Sequence, residues 1–266
     1  MSSFNKKIIQ NNFSKASEYY EDHALVQKFA STNLINQLTN FIKISDFTNK
    51  TILDLGSGTG LVGHELNRLK IINDDYKNNF FFEIDLSLTM LRTSQNKSLK
   101  INADIENLPI KNNQFDLILS SFALHWLNDF NNTIQNIAKK VKPSGIIAVA
   151  IPNQNSFINF KKNNPFHLNN LIENNVISLT LNQTKLEVLK TTNNYFQQNF
   201  PNQISALKYI KKIGANYSHY NHFDDPQNNS RKKFTDYKDF YKKNLQNPTK
   251  KFTIDWQIDY LFLTKI

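Results

Sequence analysis

The sequence predicts an α/β fold in which helices cover both faces of a mostly parallel sheet. The first observation is the segment Thr51–Gly60, in which a short apolar run ends in three glycines at alternate positions. A helical pattern begins at Leu61, so a strand, a tight turn and a helix follow one another almost without spare residues. The second observation is that apolar runs at 78–85, 99–102 and 115–121 continue this alternation of strands and helices.

Length and composition favour one soluble domain. The chain has 266 residues, which suits one large domain or one domain with a sizeable insertion. It contains no cysteine, and this excludes disulfides, thiolate zinc sites and thiol nucleophiles. The N-terminus lacks an apolar signal region, and no apolar run approaches the length of a membrane span. We therefore expect a single soluble, cytoplasmic domain over residues 1–266.

The basic charge leaves two interpretations open. A net charge of +10 and a pI near 9.5 indicate an acidic partner. Nearly all basic residues are lysines scattered among abundant Asn and Ile, a composition that an AT-rich genome produces without selection for binding. No nucleic-acid-binding motif accompanies the charge, so nucleic acid is not the expected partner.

The glycine turn predicts a nucleotide or nucleoside site. Glycine adopts positive φ and lets a ligand lie directly against the backbone, and the first amides of the next helix point into the same space. Asp54 lies at the carboxyl end of the strand, where open α/β sheets bind ligands. Residues 58–63 also read G-x-G-x-x-G, so an NAD(P)-binding protein remains an alternative.

An acid before a Gly-x-Gly-x-Gly run resembles motif I of the class I S-adenosylmethionine methyltransferases, which implies a Rossmann-like, mostly parallel sheet with an antiparallel edge strand. In that family the acid, here Asp54, lies near the methionine end of the cofactor. Asp85 ends the predicted second strand and is placed to accept hydrogen bonds from both ribose hydroxyls. Glu83 competes for that role but lies inside the strand. Residues 85–91 resemble the family's D-x-S-x-x-M-L pattern.

Two later segments extend the resemblance. Ala103–Pro109 resembles the family's adenine-recognition loop, in which Asp104 would accept from the exocyclic amine and Ile105 would cover the ring. After the fourth strand, His125 and Trp126 occupy the position that faces the transferred methyl group in the family. They are therefore candidate substrate-pocket residues. The plainer alternative, that Trp126 belongs to the core and His125 is incidental, stays open.

Two segments outside this core resemble the malonyl-acyl-carrier-protein methyltransferases of biotin synthesis. Residues 13–27 follow F-x-x-A-x-x-Y-x-x-x-A-x-x-Q, and residues 206–216 resemble L-x-x-I-K-x-x-G-A. Helical spacing would place Tyr20, His23 and Gln27 close to one face. Two alternatives stay open: Tyr20 is only a packing residue, and His23 is only a surface residue.

The remaining chain completes the expected domain. Its parts are an N-terminal helical segment at 1–50, a cofactor-binding core at 51–152, a variable or cap region at 153–250 and an edge strand at 251–266. Leu186–Phe196 and Lys251–Lys265 look like strands that pair as the antiparallel edge. Two further helices are expected at Pro165–Asn174 and Gln203–Ile213, and a mobile cap is expected at 218–250.

The resemblance implies methyl transfer from S-adenosylmethionine to the free carboxylate of malonyl-acyl-carrier protein, an acidic partner, at the start of pimeloyl (biotin) synthesis. A carboxylate is already ionised at pH 7, so no general base is needed and catalysis reduces to desolvation and alignment. No metal is implied. The implied cofactor contacts are Gln27, Asp54, Gly56, Gly58, Gly60, Asp85, Leu86, Asp104, Ile105 and Ser120. The implied catalytic residues are Tyr20 and His125, and the implied substrate contacts are Tyr20, His23, His125 and Trp126.

Other functions stay open on sequence alone. Residues 120–129 resemble mitochondrial complex I assembly factors, one of which hydroxylates arginine. A methyltransferase with another small acceptor, or a catalytically silent adaptor on the same fold, also fits. The oligomeric state is not determined.

Overall fold

The computed structural model describes residues 4–43, 49–72, 80–158, 171, 173–215 and 251–266. Its α-helices are α1 (Lys6–Ala16), α2 (Tyr20–His23), α3 (Leu25–Thr39), α4 (Leu61–Arg68), α5 (Leu88–Thr93), α6 (Phe130–Lys140), α7 (Asn174–Asn182) and α8 (Gln203–Lys212). Its strands are β1 (Thr51–Leu55), β2 (Phe80–Asp85), β3 (Leu99–Asn102), β4 (Phe115–Ser121), β5 (Val141–Pro152), β6 (Leu186–Phe200) and β7 (Phe252–Lys265). The helices and strands of residues 51–140 confirm the predicted alternation.

The strands form one seven-stranded sheet in the order β3-β2-β1-β4-β5-β7-β6. Strands β1 to β5 are parallel, and β7 runs antiparallel to both of its neighbours. The predicted α/β class with a mostly parallel sheet is therefore confirmed. The chain moves outward from β1 through β2 to β3 and then returns to β4 on the other side of β1. This reversal opens a crevice at the carboxyl ends of β1 and β4, where doubly wound sheets bind ligands.

The predicted antiparallel pairing at the C-terminus is confirmed, but the edge lies elsewhere. Strands β6 and β7 pair from Leu186 opposite Lys265 to Phe200 opposite Phe252. Since β7 lies between β5 and β6, residues 251–266 form the last but one strand, and β6 is the edge. The apolar alternation of β7 gives way to a continuous apolar run at 260–263 that is buried on both faces. Such a run is typical of an interior strand.

Strand β5 begins five residues before the predicted start at Ile146. Its register against β4 jumps from Phe115 opposite Val141 to Leu117 opposite Ile146, so the residues between form a bulge rather than a separate turn. Ser144 within it has a φ of 60°, a conformation that favours glycine.

Two apolar layers enclose the sheet. Ile52 of β1 belongs to a core shared with α3, α4 and α8, whereas its neighbour Leu53 belongs to a core shared with α6 and α7. No described helix is long and apolar enough to cross a membrane. Most of the predicted helix Pro165–Asn174, and all of the predicted cap at 218–250, lie outside the described residues.

Gly63, the last glycine of the G-x-G-x-x-G run, lies in α4 and allows that helix to approach β2 closely. A Cβ atom at this position would lie 2.2 Å from Asn96 Nδ2 and 2.8 Å from Phe81 Cε1. Helix propensity alone predicts that Gly63→Ala stabilises by about 0.5–1 kcal/mol. We expect the crowding to win, with a loss of about 1–3 kcal/mol in the free energy of unfolding.

Urea denaturation of Gly63→Ala tests this expectation, with His64→Ala on the same helix as the control. A variant at least as stable as the wild type would contradict the tight packing of α4 on β2.

Candidate functional site

A cavity lies over the carboxyl ends of β1, β2 and β4. Its floor consists of strand ends and the loops that follow them: Asp54, Gly56, Ser57, Gly58, Asp85, Leu86, Asp104, Ile105, Ser121, Phe122 and Ala123. Residues of the N-terminal helices and the turn after β4 complete it: Lys6, Ile9, Phe13, Tyr20, Gln27, Ser31 and Trp126. Most of the predicted cofactor residues therefore share one cavity.

The glycine turn forms one wall of the cavity. Gly56, Gly58 and Gly60 all have positive φ, at 68°, 57° and 91°. A Cβ on Gly56 would lie 2.2 Å from the Cβ of Ala123, so the turn packs too closely on the loop after β4 to admit a side chain at this position. Gly60, unlike the other two, is not among the cavity-lining residues, because it turns the chain into α4 behind the wall. Its carbonyl accepts from Asn96 Nδ2 at 2.8 Å.

Asp85 joins the end of β2 to the glycine turn. Its carboxylate accepts hydrogen bonds from the backbone N–H groups of Gly58, at 2.9 Å, and Ser87, at 2.7 Å. Burial raises the pKa of Asp85 to about 6, although both hydrogen bonds lower it. The side chain thus holds the turn and faces the cavity at once.

Asp54 and Gln27 present acceptors that lack donors. Neither carboxylate oxygen of Asp54 nor the Oε1 atom of Gln27 has a hydrogen-bond partner among the described residues, although all are buried. Burial raises the pKa of Asp54 well above its usual range, and the charges of Glu83 and Asp85 add to this. Buried acceptors are rarely left unpaired. This part of the cavity is therefore suited to a ligand with several N–H donors, such as an ammonium group.

Glu83 has a structural role behind the cavity. It is fully buried and accepts from Ser94 Oγ at 2.9 Å, from Asn96 Nδ2 at 2.8 Å and from Ser98 Oγ. Since Asn96 also binds the Gly60 carbonyl, this network supports the glycine turn. Glu83 does not line the cavity, so Asp85 remains the candidate for ribose binding.

Helix α1 covers the cavity through contacts with the loops that follow β2 and β3. Gln10 Nε2 donates to the Leu86 carbonyl at 2.8 Å, and the hydroxyls of Ser14 and Ser87 are 2.8 Å apart. Lys6 Nζ lies 3.3 Å from Asp104 Oδ1 and also pairs with Glu106. Sequence reasoning missed Lys6, because nothing near it in the chain indicates partners some hundred residues away.

Aromatic side chains line the part of the cavity below α1. Tyr20 is buried there, and burial raises the pKa of its phenol above the usual range. It is consequently a neutral hydrogen-bond donor. Phe13 packs edge-on against Trp126, with ring centroids 5.7 Å apart, and lies 6.4 Å from the Tyr20 ring. The structure thus brings Tyr20 and Trp126 together, as predicted.

His23 does not share this cavity, contrary to the prediction. Its Nδ1 bonds the Tyr19 carbonyl at 2.9 Å, and its Nε2 lies 3.0 Å from Lys212 Nζ, on the outer surface. The predicted helical face does not extend this far, because the helix breaks at Ala24, which has a ψ of 46°.

Ser120 and His125 also differ from expectation. The Ser120 hydroxyl donates to the Leu55 carbonyl at 2.9 Å, and Ser121 lines the cavity instead, because neighbouring residues of a strand face opposite ways. His125 packs between Phe122 and Trp126 but is not among the lining residues. Burial lowers its pKa to about 3, so the imidazole is neutral.

Comparisons with known proteins agree with this geometry. Residues 53–149 match a family described as a methyltransferase domain. The chain is 31% identical over 225 residues to the malonyl-acyl-carrier-protein O-methyltransferase of Buchnera aphidicola, covering 82% of this chain and 84% of that protein. It is 28% identical over 218 residues to the malonyl-acyl-carrier-protein O-methyltransferase 2 of Coxiella burnetii, covering 79% and 82%.

A solved structure shares the fold. The chain superposes on an S-adenosylmethionine-dependent methyltransferase of Thermotoga maritima with a TM-score of 0.51 and 18% identity, covering 75% of this chain and 88% of that one.

Proposed function

The chain belongs to the malonyl-acyl-carrier-protein O-methyltransferase family, and we propose that it transfers the methyl group of S-adenosylmethionine to the free carboxylate of malonyl-acyl-carrier protein. The product is the methyl ester that starts pimeloyl synthesis for biotin. The observation that carries the proposal is the set of unpaired acceptors of Asp54 and Gln27 beside Asp85, in a cavity at the strand ends. A cytoplasmic location is part of the same proposal.

The cavity residues suit three parts of S-adenosylmethionine: its ammonium group, its ribose and its adenine ring. Its ammonium group has several N–H donors, and the buried acceptor oxygens of Asp54 and Gln27 have no donor within the described chain. The Asp85 carboxylate already accepts two backbone hydrogen bonds and retains lone pairs for ribose hydroxyls. Asp104 uses only its Oδ1 atom for Lys6 and the Glu106 amide, and Ile105 lies beside it for the adenine ring. When bound, the cofactor supplies an electrophilic methyl group on sulfur.

The rest of the cavity suits an anionic acceptor that must stay reactive. A bidentate arginine would stabilise the carboxylate in the ground state, whereas a neutral donor binds it without that cost. Tyr20 offers such a donor, and Trp126 excludes water beside it. The described cation of the cavity, Lys6, is paired with Glu106. The reaction needs no base, because the carboxylate is ionised before it enters.

The dinucleotide alternative is not favoured, because residues 53–149 match a methyltransferase domain, and the packing of Gly63 against Phe81 is common to both kinds of site. The hydroxylase-like and adaptor alternatives both predict that no methyl ester forms.

A comparison of acceptors tests the proposal. Malonyl-carrier protein and acetyl-carrier protein are each incubated with the enzyme and S-adenosylmethionine, and S-adenosylhomocysteine formation is followed. We expect turnover with the malonyl form alone, because only it has a free carboxylate. Equal turnover with acetyl-carrier protein, or none with either, would contradict the proposed acceptor.

The raised pKa of Asp85 predicts that cofactor affinity depends on pH. Ribose hydroxyls bind the ionised carboxylate better than the protonated one, and the pKa of Asp85 is about 6. Lowering the pH from about 7.5 to about 5 should therefore raise the dissociation constant of S-adenosylhomocysteine about tenfold through this group.

Isothermal titration calorimetry across this pH range measures the effect. In Asp85→Asn the part due to Asp85 should disappear, while any part due to Asp54 remains. A dissociation constant that does not change in the wild type would contradict the assignment.

A further inference from the structure

A second groove lies on the outer side of the N-terminal helices. Helices α1 and α2 form one wall with Lys15, Tyr19 and His23, and α8 forms the other wall with lysines. The α8 residues are Lys208, Lys211 and Lys212. The groove is thus lined by four lysines and one histidine, and no described carboxylate lines it.

The charges of these lysines are not neutralised within the described chain. Lys15, Lys208 and Lys211 are exposed and form no ion pair with a described carboxylate. Lys212 Nζ lies 3.0 Å from His23 Nε2, and His23 Nδ1 lies 2.9 Å from the Tyr19 carbonyl oxygen, so neither contact gives Lys212 a negatively charged partner. Elsewhere, Lys6 and Lys142 pair with Glu106 and Asp116. A concentration of unpaired like charges in one groove favours an acidic partner.

The groove is assembled from the two segments that lie outside the cofactor core. Its α1–α2 wall comes largely from residues 13–27. Its α8 wall comes from Lys208, Lys211 and Lys212. The end of α8 packs against α1, since a Cβ on Gly214 would lie 2.8 Å from the Phe13 ring. The lysine of the L-x-x-I-K-x-x-G-A pattern is Lys211, which is exposed. Core packing does not explain that lysine.

The groove and the cavity share a wall. Phe13 and Tyr20 face the cavity, whereas Lys15 and Tyr19 from the same stretch face the groove. A protein seated on the groove therefore touches the helices that cover the reaction site.

We propose that this lysine groove docks the acidic helix surface of the carrier protein whose malonyl group is methylated. This inference rests on the proposed function for the identity of the acidic partner. Docking places a tethered carboxylate at the cavity entrance and raises its local concentration. Because the attraction is between exposed charges, it weakens as salt screens them.

A charge-reversal experiment with a matched control tests the docking surface. The test variant is Lys15→Glu/Lys211→Glu, with one change on each wall and neither side chain in a described hydrogen bond or ion pair. The control is Lys111→Glu/Lys139→Glu, which makes the same change in charge. Lys139 lies on α6, on the opposite face of the sheet. Each enzyme is assayed with malonyl-carrier protein and with malonyl-N-acetylcysteamine, a small thioester without the carrier.

We expect the test variant to lose about tenfold or more in kcat/KM for malonyl-carrier protein at low ionic strength, mainly through KM. Its activity on the small thioester and its affinity for S-adenosylhomocysteine should match the wild type. The control variant should stay within about twofold of the wild type with both substrates, and high salt should remove most of the difference between the enzymes.

Other outcomes overturn the inference. An equal loss in the control variant would mean that net charge alone matters. No loss in the test variant, or an equal loss with the small thioester, would exclude docking at the groove. If the wild type methylates neither thioester, the proposed function fails on its own. Docking is then judged from the affinity of the carrier protein for each enzyme, and equal affinity for wild type and test variant overturns it.

Discussion

Replacement of Asp85 with alanine is expected to weaken binding of S-adenosylhomocysteine by roughly 2–4 kcal/mol, or about 30- to 1000-fold. Two effects add. The ribose hydroxyls lose a charged acceptor, and the N–H groups of Gly58 and Ser87 lose the carboxylate that fixes the glycine turn. Calorimetry at pH 7.5 measures the change.

The same substitution should not lower stability. The pKa of Asp85 is about 6 in the folded protein, above its ordinary value of 3.8. A raised pKa means that the group contributes stability below about pH 4, which is lost as the pH rises through about 6. At pH 7 the ionised carboxylate therefore costs the folded state up to about 3 kcal/mol, and its removal offsets the lost hydrogen bonds. Unchanged affinity for S-adenosylhomocysteine in the folded variant would show that Asp85 does not hold the ribose.

Replacement of Tyr20 with phenylalanine is expected to lower kcat with malonyl-carrier protein by about 10- to 100-fold, a loss of ~1.5–3 kcal/mol. The buried phenol is a neutral donor in the cavity, and its loss leaves the acceptor carboxylate without that orienting hydrogen bond. The ring and its contact with Phe13 remain, so folding should not change. Steady-state kinetics with S-adenosylmethionine in excess measures the effect.

Two comparisons make the Tyr20 result specific. The affinity of Tyr20→Phe for S-adenosylhomocysteine should stay close to that of the wild type. Tyr195→Phe, which removes a hydroxyl from an exposed residue of the edge strand, should keep full activity. A Tyr20→Phe enzyme with wild-type kcat would mean that this hydroxyl does not orient the acceptor.

Features determined by neighbouring residues could be predicted from the sequence. The glycine turn follows an apolar strand directly, so the positions of Asp54 and Gly58 at the strand end follow from the local pattern. Asp85 could be chosen over Glu83 for the same reason, since only the residue at the strand end faces the crevice. Because β1 and β2 are parallel neighbours, the strand ends that carry Asp54 and Asp85 meet at the same cavity.

Two kinds of feature could not be predicted from the sequence. One is a contact between residues that are distant in the chain, and the other is the face of a strand to which a particular residue points. The sequence predicts Ser120 as a cofactor contact, whereas Ser121 lines the cavity. Neighbouring residues of a strand point to opposite faces, so an error of one residue selects the wrong side chain. His23 turns outward because of a backbone break at Ala24 that no helix breaker in the sequence indicates. Lys6 meets Asp104 only after α1 folds across the sheet.

The atom that receives the methyl group distinguishes a carboxyl methyltransferase from every alternative considered above. Malonyl-carrier protein is incubated with the enzyme and S-adenosylmethionine that carries a deuterated methyl group, and the product is examined by tandem mass spectrometry before and after mild alkaline hydrolysis. We expect a single labelled methyl group on the malonyl carboxylate, which alkali releases as labelled methanol while the thioester arm also hydrolyses. A label on the protein backbone or side chains, or no label at all, would contradict this expectation.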